Sequence, residues 1–398
     1  MYGKEMLIIN GKIYTMEMEQ GEHGYIENGY VRTNGRYIEE VGMMSQLRPI
    51  ARKEEVLDVR GAWVMPGIIE SHCHIGISEE KIGMVGDDCN EGTSPVTPTL
   101  RALDAVNPMD AAFHDALEAG ITSVMVGPGS ANVVGGQFLF MKTHGRCIDE
   151  MVVKSPAAMK VAFGENPKTC YGDKDEYPAT RMGIAALLRK TLFEAMQYKE
   201  DKEKGALEKI DFEMEAWLPV LNKEIPLKAH AHRADDILTA IRIAKEFDLH
   251  MTIDHGTESH LIAKHIKASG YPVIVGPDLT SRSKPEVQNM SFKTNRILYE
   301  HGVLFSIMTD HPVSMIQYLP LCAGLAVKQG LPMEEGLKAI TINAAHICGV
   351  DDKLGSLREG KYADIAVFSG NPMEVFTETL YTIIDGQVVY DYQKDKES

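Results

Sequence analysis

Pro66-Gly67-Ile68-Ile69-Glu70-Ser71-His72-Cys73-His74 is the stretch on which the reading of this chain turns. Trp63 to Ile69 reads as an apolar β-strand, and it ends in two histidines two residues apart. Strand side chains alternate between faces, so His72 and His74 point the same way. Two imidazoles on one side of a strand end are half of a metal site. A pair of polar histidines in a turn would look the same, so the pair carries weight only in company.

Three later segments supply it. Pro226-Leu227-Lys228-Ala229 leads into His230-Ala231-His232; His250-Met251-Thr252-Ile253-Asp254 leads into His255 and Gly256; Val303–Thr309 leads into Asp310. Each is an apolar strand followed by a ligand-type residue. Active sites of (β/α)8 barrels are built at that end of the strands. One such segment would be a core histidine; four together read as a metal site.

Composition agrees. The chain has 398 residues, of which 44 % are hydrophobic, enough for one large domain and a smaller one. A net charge of −16 speaks against a nucleic-acid or anionic-membrane partner, because both select basic surfaces. No apolar run approaches a membrane span. The N-terminal stretch Met1 to Met6 lacks a leader's apolar segment. The six cysteines are scattered without a Cys-x-x-Cys, which fits a reduced, cytoplasmic protein rather than a disulfide framework. Cys73 faces away from its flanking histidines and reads as a packing residue.

Strand and turn signals divide the chain into three. Residues 1–62 hold short strands with Asn10-Gly11 and Asn34-Gly35 read as hairpin turns. Residues 353–398 are similar, with Asp385-Gly386 as a turn. Neither end has enough strands for a core, so together they are expected to form one small β-sandwich. Residues 63–352 alternate strands and helices and have the size of an α/β (β/α)8 TIM-like barrel. Within them Pro108–Ala119, Arg181–Lys204, Arg233–Phe247 and Glu258–Ser269 read as helices. Ile121–Val126, Ala158–Phe163 and Tyr271–Val275 read as strands.

With these motifs in order, the chain resembles the metal-dependent amidohydrolase superfamily, in its imidazolonepropionase-like and prolidase-like branch. The His72-Cys73-His74 segment is similar to the family's first-strand motif. His230, His255-Gly256 and Thr309-Asp310 are similar to its ligand positions on the fifth, sixth and eighth strands. Gly355–Ile365 resembles its C-terminal signature. The resemblance implies one or two divalent cations that activate water against a C–N bond. It implies His72, His74 and Asp310 around one cation, and His230 and His255 around another. It implies that Asp310 also carries the catalytic proton. Histidine and carboxylate ligands suit Zn2+ and tolerate Mn2+, Fe2+, Co2+ or Ni2+.

A two-metal site needs a bridging anion. Lys160 lies inside an apolar strand, where a buried amine has a lowered pKa and can take up CO2 as a carbamate. Glu165, just past that strand, could bridge directly. Lys160 is the first choice. His232, on the face of His230, is expected to touch substrate or support a ligand. His311 is expected to touch substrate or support a ligand, and Gln137 to touch substrate from a Gly-rich loop beginning at Asn132. The segment 75–107 is long enough to form a lid, and the segments 165–180 and 276–286 are expected to sit near the metal. Arg181, Arg282 and Lys284 could hold a substrate carboxylate.

Three functions fit. The first is a hydrolase of a small amide or cyclic amide, acting on a small-molecule substrate and working as a homo-oligomer. The second is a metal-dependent deaminase of an aminated heterocycle, disfavoured because His230-Ala231-His232-Arg233-Ala234-Asp235 contains no Glu. The third is a non-enzymatic assembly module, which the retained ligands disfavour.

Overall fold

The computed structural model describes residues 5–17, 24–50, 53–80 and 83–396. Residues 1–4 of the N-terminal stretch lie outside the described residues. Among the described residues the strands form two eight-stranded sheets.

One sheet joins both ends of the chain. The N-terminal part supplies β1 (Met6–Tyr14), β2 (Tyr25–Asn34), β3 (Tyr37–Met43), β4 (Glu55–Asp58) and β5 (Trp63–Pro66). The other sheet is built from β6 (Ile68–Cys73), β7 (Ile121–Val126), β8 (Val134–Lys142), β9 (Val152–Ala162), β10 (Leu227–Ala231), β11 (Met251–His255), β12 (Val273–Val275) and β13 (Phe305–Ile307), taken in that order. The chain then returns to the first sheet through β14 (Ile365–Phe368), β15 (Thr379–Ile384) and β16 (Gln387–Asp391). That sheet runs β16-β15-β14-β5-β1-β2-β3, with β4 branching from β1. The expected sandwich is therefore one hydrogen-bonded sheet with a branch. Ile8, Ile13, Val64, Ile365 and Val367 share its core.

Asn34-Gly35 turns a hairpin as expected, but Asn10-Gly11 does not. β1 continues through it as a bulge, with Asn10 at φ 59° and its amide donating to Asp58 Oδ1 at 2.9 Å. Before the bulge β1 pairs with β4, and after it with β5. An extra residue that bends a strand lets it serve two neighbours in succession.

The expected single strand from Trp63 also divides. Trp63–Pro66 stays in the terminal sheet against β14, and the chain crosses into the barrel at Gly67. A Cβ there would lie 2.1 Å from Thr122 Oγ1, so only glycine fits the crossing. Nearby, Lys142 at the end of β8 forms a buried ion pair with Asp364 before β14.

The barrel strands are parallel except β8, which runs antiparallel to both β7 and β9. The connection from Val126 to Val134 is too short for a helical crossover, so the chain must return as a hairpin. The expected Gly-rich loop is thus the start of β8. Gly136, at φ 124°, lets Leu100 pass: a Cβ would lie 2.6 Å from its carbonyl oxygen. Glu70 ties the first barrel strand to the last, accepting from Thr309 N at 2.8 Å and Thr309 Oγ1 at 2.7 Å. Ser71 and Ser306 hydroxyls meet at 2.9 Å across the same seam. Helices such as Arg181–Glu203 and Ala234–Glu246 cover the outside. Among the described residues no helix is long and apolar enough to cross a membrane.

Candidate metal centre

The C-terminal strand ends converge on a cavity of about 510 Å³ lined by His74, Lys160, His230, His232, His255 and Asp310, among others. The side chains form two ligand clusters. In the first, His74 Nε2 lies 3.2 Å and His72 Nε2 3.5 Å from Asp310 Oδ1. In the second, the ring centres of His230, His232 and His255 are 4.2 to 4.7 Å apart. His72 and His255 join the clusters, with ring centres 5.4 Å apart.

Two backbone kinks aim these ligands. His255 has φ 72° and Asp310 φ 55°, both in the left-handed region that non-glycine residues avoid. The kink at His255 breaks strand alternation, so Asp254 and His255, adjacent in sequence, both reach toward His72. The kink at Asp310 has the opposite consequence for His311. Its ring is fully buried and does not line the cavity. His311 Nδ1 accepts from Ile316 N at 3.3 Å, and its carbonyl oxygen accepts from His74 N at 2.8 Å. His311 thus supports the strand end that carries His74, the second of its two expected roles, and lies off the cavity wall.

Hydrogen bonds orient the imidazoles. His72 Nδ1 donates to Asp254 Oδ2 at 2.7 Å, His74 Nδ1 to the Gly127 carbonyl at 2.7 Å and His255 Nδ1 to the Gly276 carbonyl at 3.0 Å. At His72 and His255 this bond sets the tautomer and leaves a lone pair on Nε2 for a cation. Burial holds His72, His230, His232 and His255 well below the ordinary imidazole range, which keeps them neutral. His74 moves the other way, to about 10: burial lowers it, but Cys89 and the Asp310 carboxylate outweigh burial. Asp310 Oδ1 is buried with no hydrogen-bond partner among the described residues. Neutral imidazoles at His72, His230, His232 and His255, with His74 beside the unsatisfied buried oxygen of Asp310, make a donor set that fits a divalent cation such as Zn2+, which would displace the proton that Asp310 favours on His74.

Lys160 is 1 % exposed, and its Nζ is 3.4 Å from His72 Nε2. Burial pushes its amine down to about 8. Glu165 is different. It opens the helix Glu165–Gly172, its N–H donates to Glu286 Oε2 at 2.9 Å, and it is absent from the cavity lining. The next residue, Asn166, lines the cavity instead, with Nδ2 3.4 Å from His230 Nε2. Gln137 also lies elsewhere. Its amide donates to the Pro98 carbonyl at 3.2 Å, and it borders a separate cavity beside Phe212 and Pro219. Of the three basic residues considered, only Lys284 lines the site. It is 2.7 Å from Glu286 Oε1 and donates to Asn166 Oδ1 at 2.6 Å. Arg181 instead pairs with Asp236, and Arg282 donates to the Met290 carbonyl. From the stretch after β6, Ser78, Asp87, Cys89 and Asn90 line the cavity.

Sequence reading missed Asp254, Lys228, Cys89 and Glu286. Lys228 carried a usable signal, a lysine two residues before His230 in an apolar strand, the same signal that marks Lys160.

Residues 63–389 match the amidohydrolase family. The chain belongs to that family. As an amidohydrolase it is a hydrolase acting on carbon–nitrogen bonds. It is 39 % identical to an amidohydrolase from Thermotoga maritima whose solved structure has a TM-score of 0.92, covering 97 % of this chain and 100 % of that one. It is 24 % identical to imidazolonepropionase from Mesorhizobium japonicum over 90 % of each chain. It is 27 % identical to Amidohydrolase tasK from Hapsidospora irregularis over 98 % of this chain, which spans only 43 % of the length of tasK. A prolidase complexed with N-methylphosphonate-L-proline shares the fold, with 20 % identity and a TM-score of 0.63 over 98 % of this chain and 100 % of that one.

Proposed function

We propose that this amidohydrolase cleaves a C–N bond in a small amide or cyclic amide carrying a carboxylate or other polar anchor. His72, His74 and Asp310 would hold one divalent cation, and His230 and His255, with His232 beside them, a second. The reading rests on Lys160, buried against His72 and lining the same cavity as His230, His232 and His255. As a carbamate, Lys160 would present the anion that two neighbouring cations require. A bound cation supplies Lewis acidity and lowers the pKa of water toward about 7.

The chain's own groups account for the rest. Asp310 Oδ1 can take a proton from the attacking water and return it to the leaving nitrogen. Lys284 Nζ, at the cavity wall, is the anchor for a substrate carboxylate. Asn166 holds Lys284 and abuts His230, which links anchor to ligand. The same reading includes a small-molecule substrate, a reducing, cytoplasmic setting in keeping with cysteines that are all free, and a homo-oligomer.

The test is a substrate panel run with metal analysis of protein purified without chelator. N-acyl amino acids, dipeptides, hydantoins and lactam acids should yield C–N cleavage products. Ammonia released only from aminated purines or pyrimidines would transfer the assignment to a deaminase. Turnover of neutral esters or lactones alone would defeat both.

A further inference from the structure

Beneath the two ligand clusters the barrel interior holds a buried ion pair with no evident need to be there. Lys228 and Asp254, on adjacent strands β10 and β11, are 1 % and 0 % exposed, with Nζ 3.1 Å from Oδ2. Burying two charges is costly, and well-packed apolar residues often replace such a pair without loss of stability. The pair is therefore poorly explained by stability alone.

Its contacts point upward to the site. Asp254 Oδ2 accepts from His72 Nδ1 at 2.7 Å, and Asp254 Oδ1 accepts from Thr252 Oγ1 at 2.6 Å. Lys228 Nζ also donates to the Ser71 carbonyl at 3.2 Å, one residue before His72. The carboxylate is thus held from three sides, by a cation, a hydroxyl and the imidazole. The lysine grips the backbone of the strand that carries that imidazole.

We propose that Asp254, held in place by Lys228, is the positioning residue that fixes His72 as a metal ligand. Asp254 sets the proton on Nδ1, so the Nε2 lone pair faces Asp310 and His74. Lys228 locks both the carboxylate and the strand backbone. This inference rests on the metal-binding reading of the first cluster.

Metal binding itself is the readout. Metal-free protein would be titrated with Zn2+ against a chromophoric chelator, and with Co2+ while its visible spectrum is recorded. Asp254→Asn should weaken the tighter equivalent by about 10- to 100-fold and alter the Co2+ bands. The double variant Asp254→Asn/Lys228→Met separates positioning from mere charge pairing and guards against misfolding of the single variant. It removes both buried charges, so its thermal midpoint should return toward wild type while the Zn2+ defect persists. A double variant that regains wild-type Zn2+ affinity would overturn the proposal, as would an Asp254→Asn protein with unchanged affinity and spectrum. If wild-type protein takes up no Zn2+ or Co2+ at all, the metal reading falls and this inference falls with it. Uptake by wild type with unaffected variants defeats this inference alone.

Discussion

The two ligand clusters face one cavity but are built to different standards. In the first, His72 and His74 each donate Nδ1–H to a fixed acceptor, the Asp254 carboxylate and the Gly127 carbonyl. Asp310 brings a negative charge. In the second, His255 is held by the Gly276 carbonyl and His232 lies 2.8 Å from the Thr257 hydroxyl, but His230 Nδ1 is buried with no partner among the described residues. That cluster contains only imidazoles and opens toward Asn166 and Lys284. Imidazoles held by outer hydrogen bonds lose less freedom on binding a cation, and a carboxylate adds Coulomb attraction. One cluster is therefore prepared to hold a cation firmly. The other is suited to looser binding, and in the proposed reading substrate would reach it beside Lys284.

The contrast is tested most severely at Asp310, proposed both as a ligand of the first cluster and as the proton carrier of the reaction. Asp310→Asn should cost about two orders of magnitude or more in turnover, about 2.7 kcal/mol, while the metal-free fold melts near the wild-type temperature. Steady-state kinetics on the first active substrate checks it, and near-wild-type turnover would remove the role. Lys160 comes next, because in the proposed reading it would serve both clusters. Lys160→Ala should lose one metal equivalent and roughly 10- to 100-fold in rate, with partial rescue by formate or acetate. Bicarbonate should help refill stripped wild-type protein. If Lys160→Ala keeps its metal while Glu165→Gln loses it, the bridge is Glu165.

Chelation reads the difference between the clusters directly. Stepwise dialysis should release metal in two stages, the looser equivalent at roughly tenfold lower chelator activity. His230→Asn should abolish the early stage only. A single stage that His72→Asn and His230→Asn affect equally would mean that the clusters are one site. The mildest change is Gln137→Ala. Its side chain is buried beside a different cavity, so KM and kcat should stay within about twofold of wild type. A large rise in KM would restore Gln137 to substrate binding.

Strand periodicity and strand-end ligands were readable along the chain because both are local. Alternation of apolar residues marks a strand, and a histidine at its end marks a barrel rim. The residues of both clusters were visible in this way, as were the Asn34-Gly35 and Asp385-Gly386 turns and the helices after β10 and β11. The direction of β8 was not, since a glycine-rich start reads equally as loop or strand and only short connections on both sides force the reversal. Asn10-Gly11 looks like a hairpin until β1 is seen to need two different partners. The polar residues that share the site were legible only where strand alternation holds. It fails at His255 and Asp310, whose left-handed backbone turns Asp254 inward and His311 away. Gln137 and Glu165 were misplaced for the same kind of reason: chain position locates a residue along a strand, and packing against Pro98 or Glu286 decides which way it faces. The Lys228–Asp254–His72 array joins three strands distant in sequence, so no local pattern announces it. It exists only once the closed barrel has brought those strands together and excluded the water that would otherwise weaken their pairing.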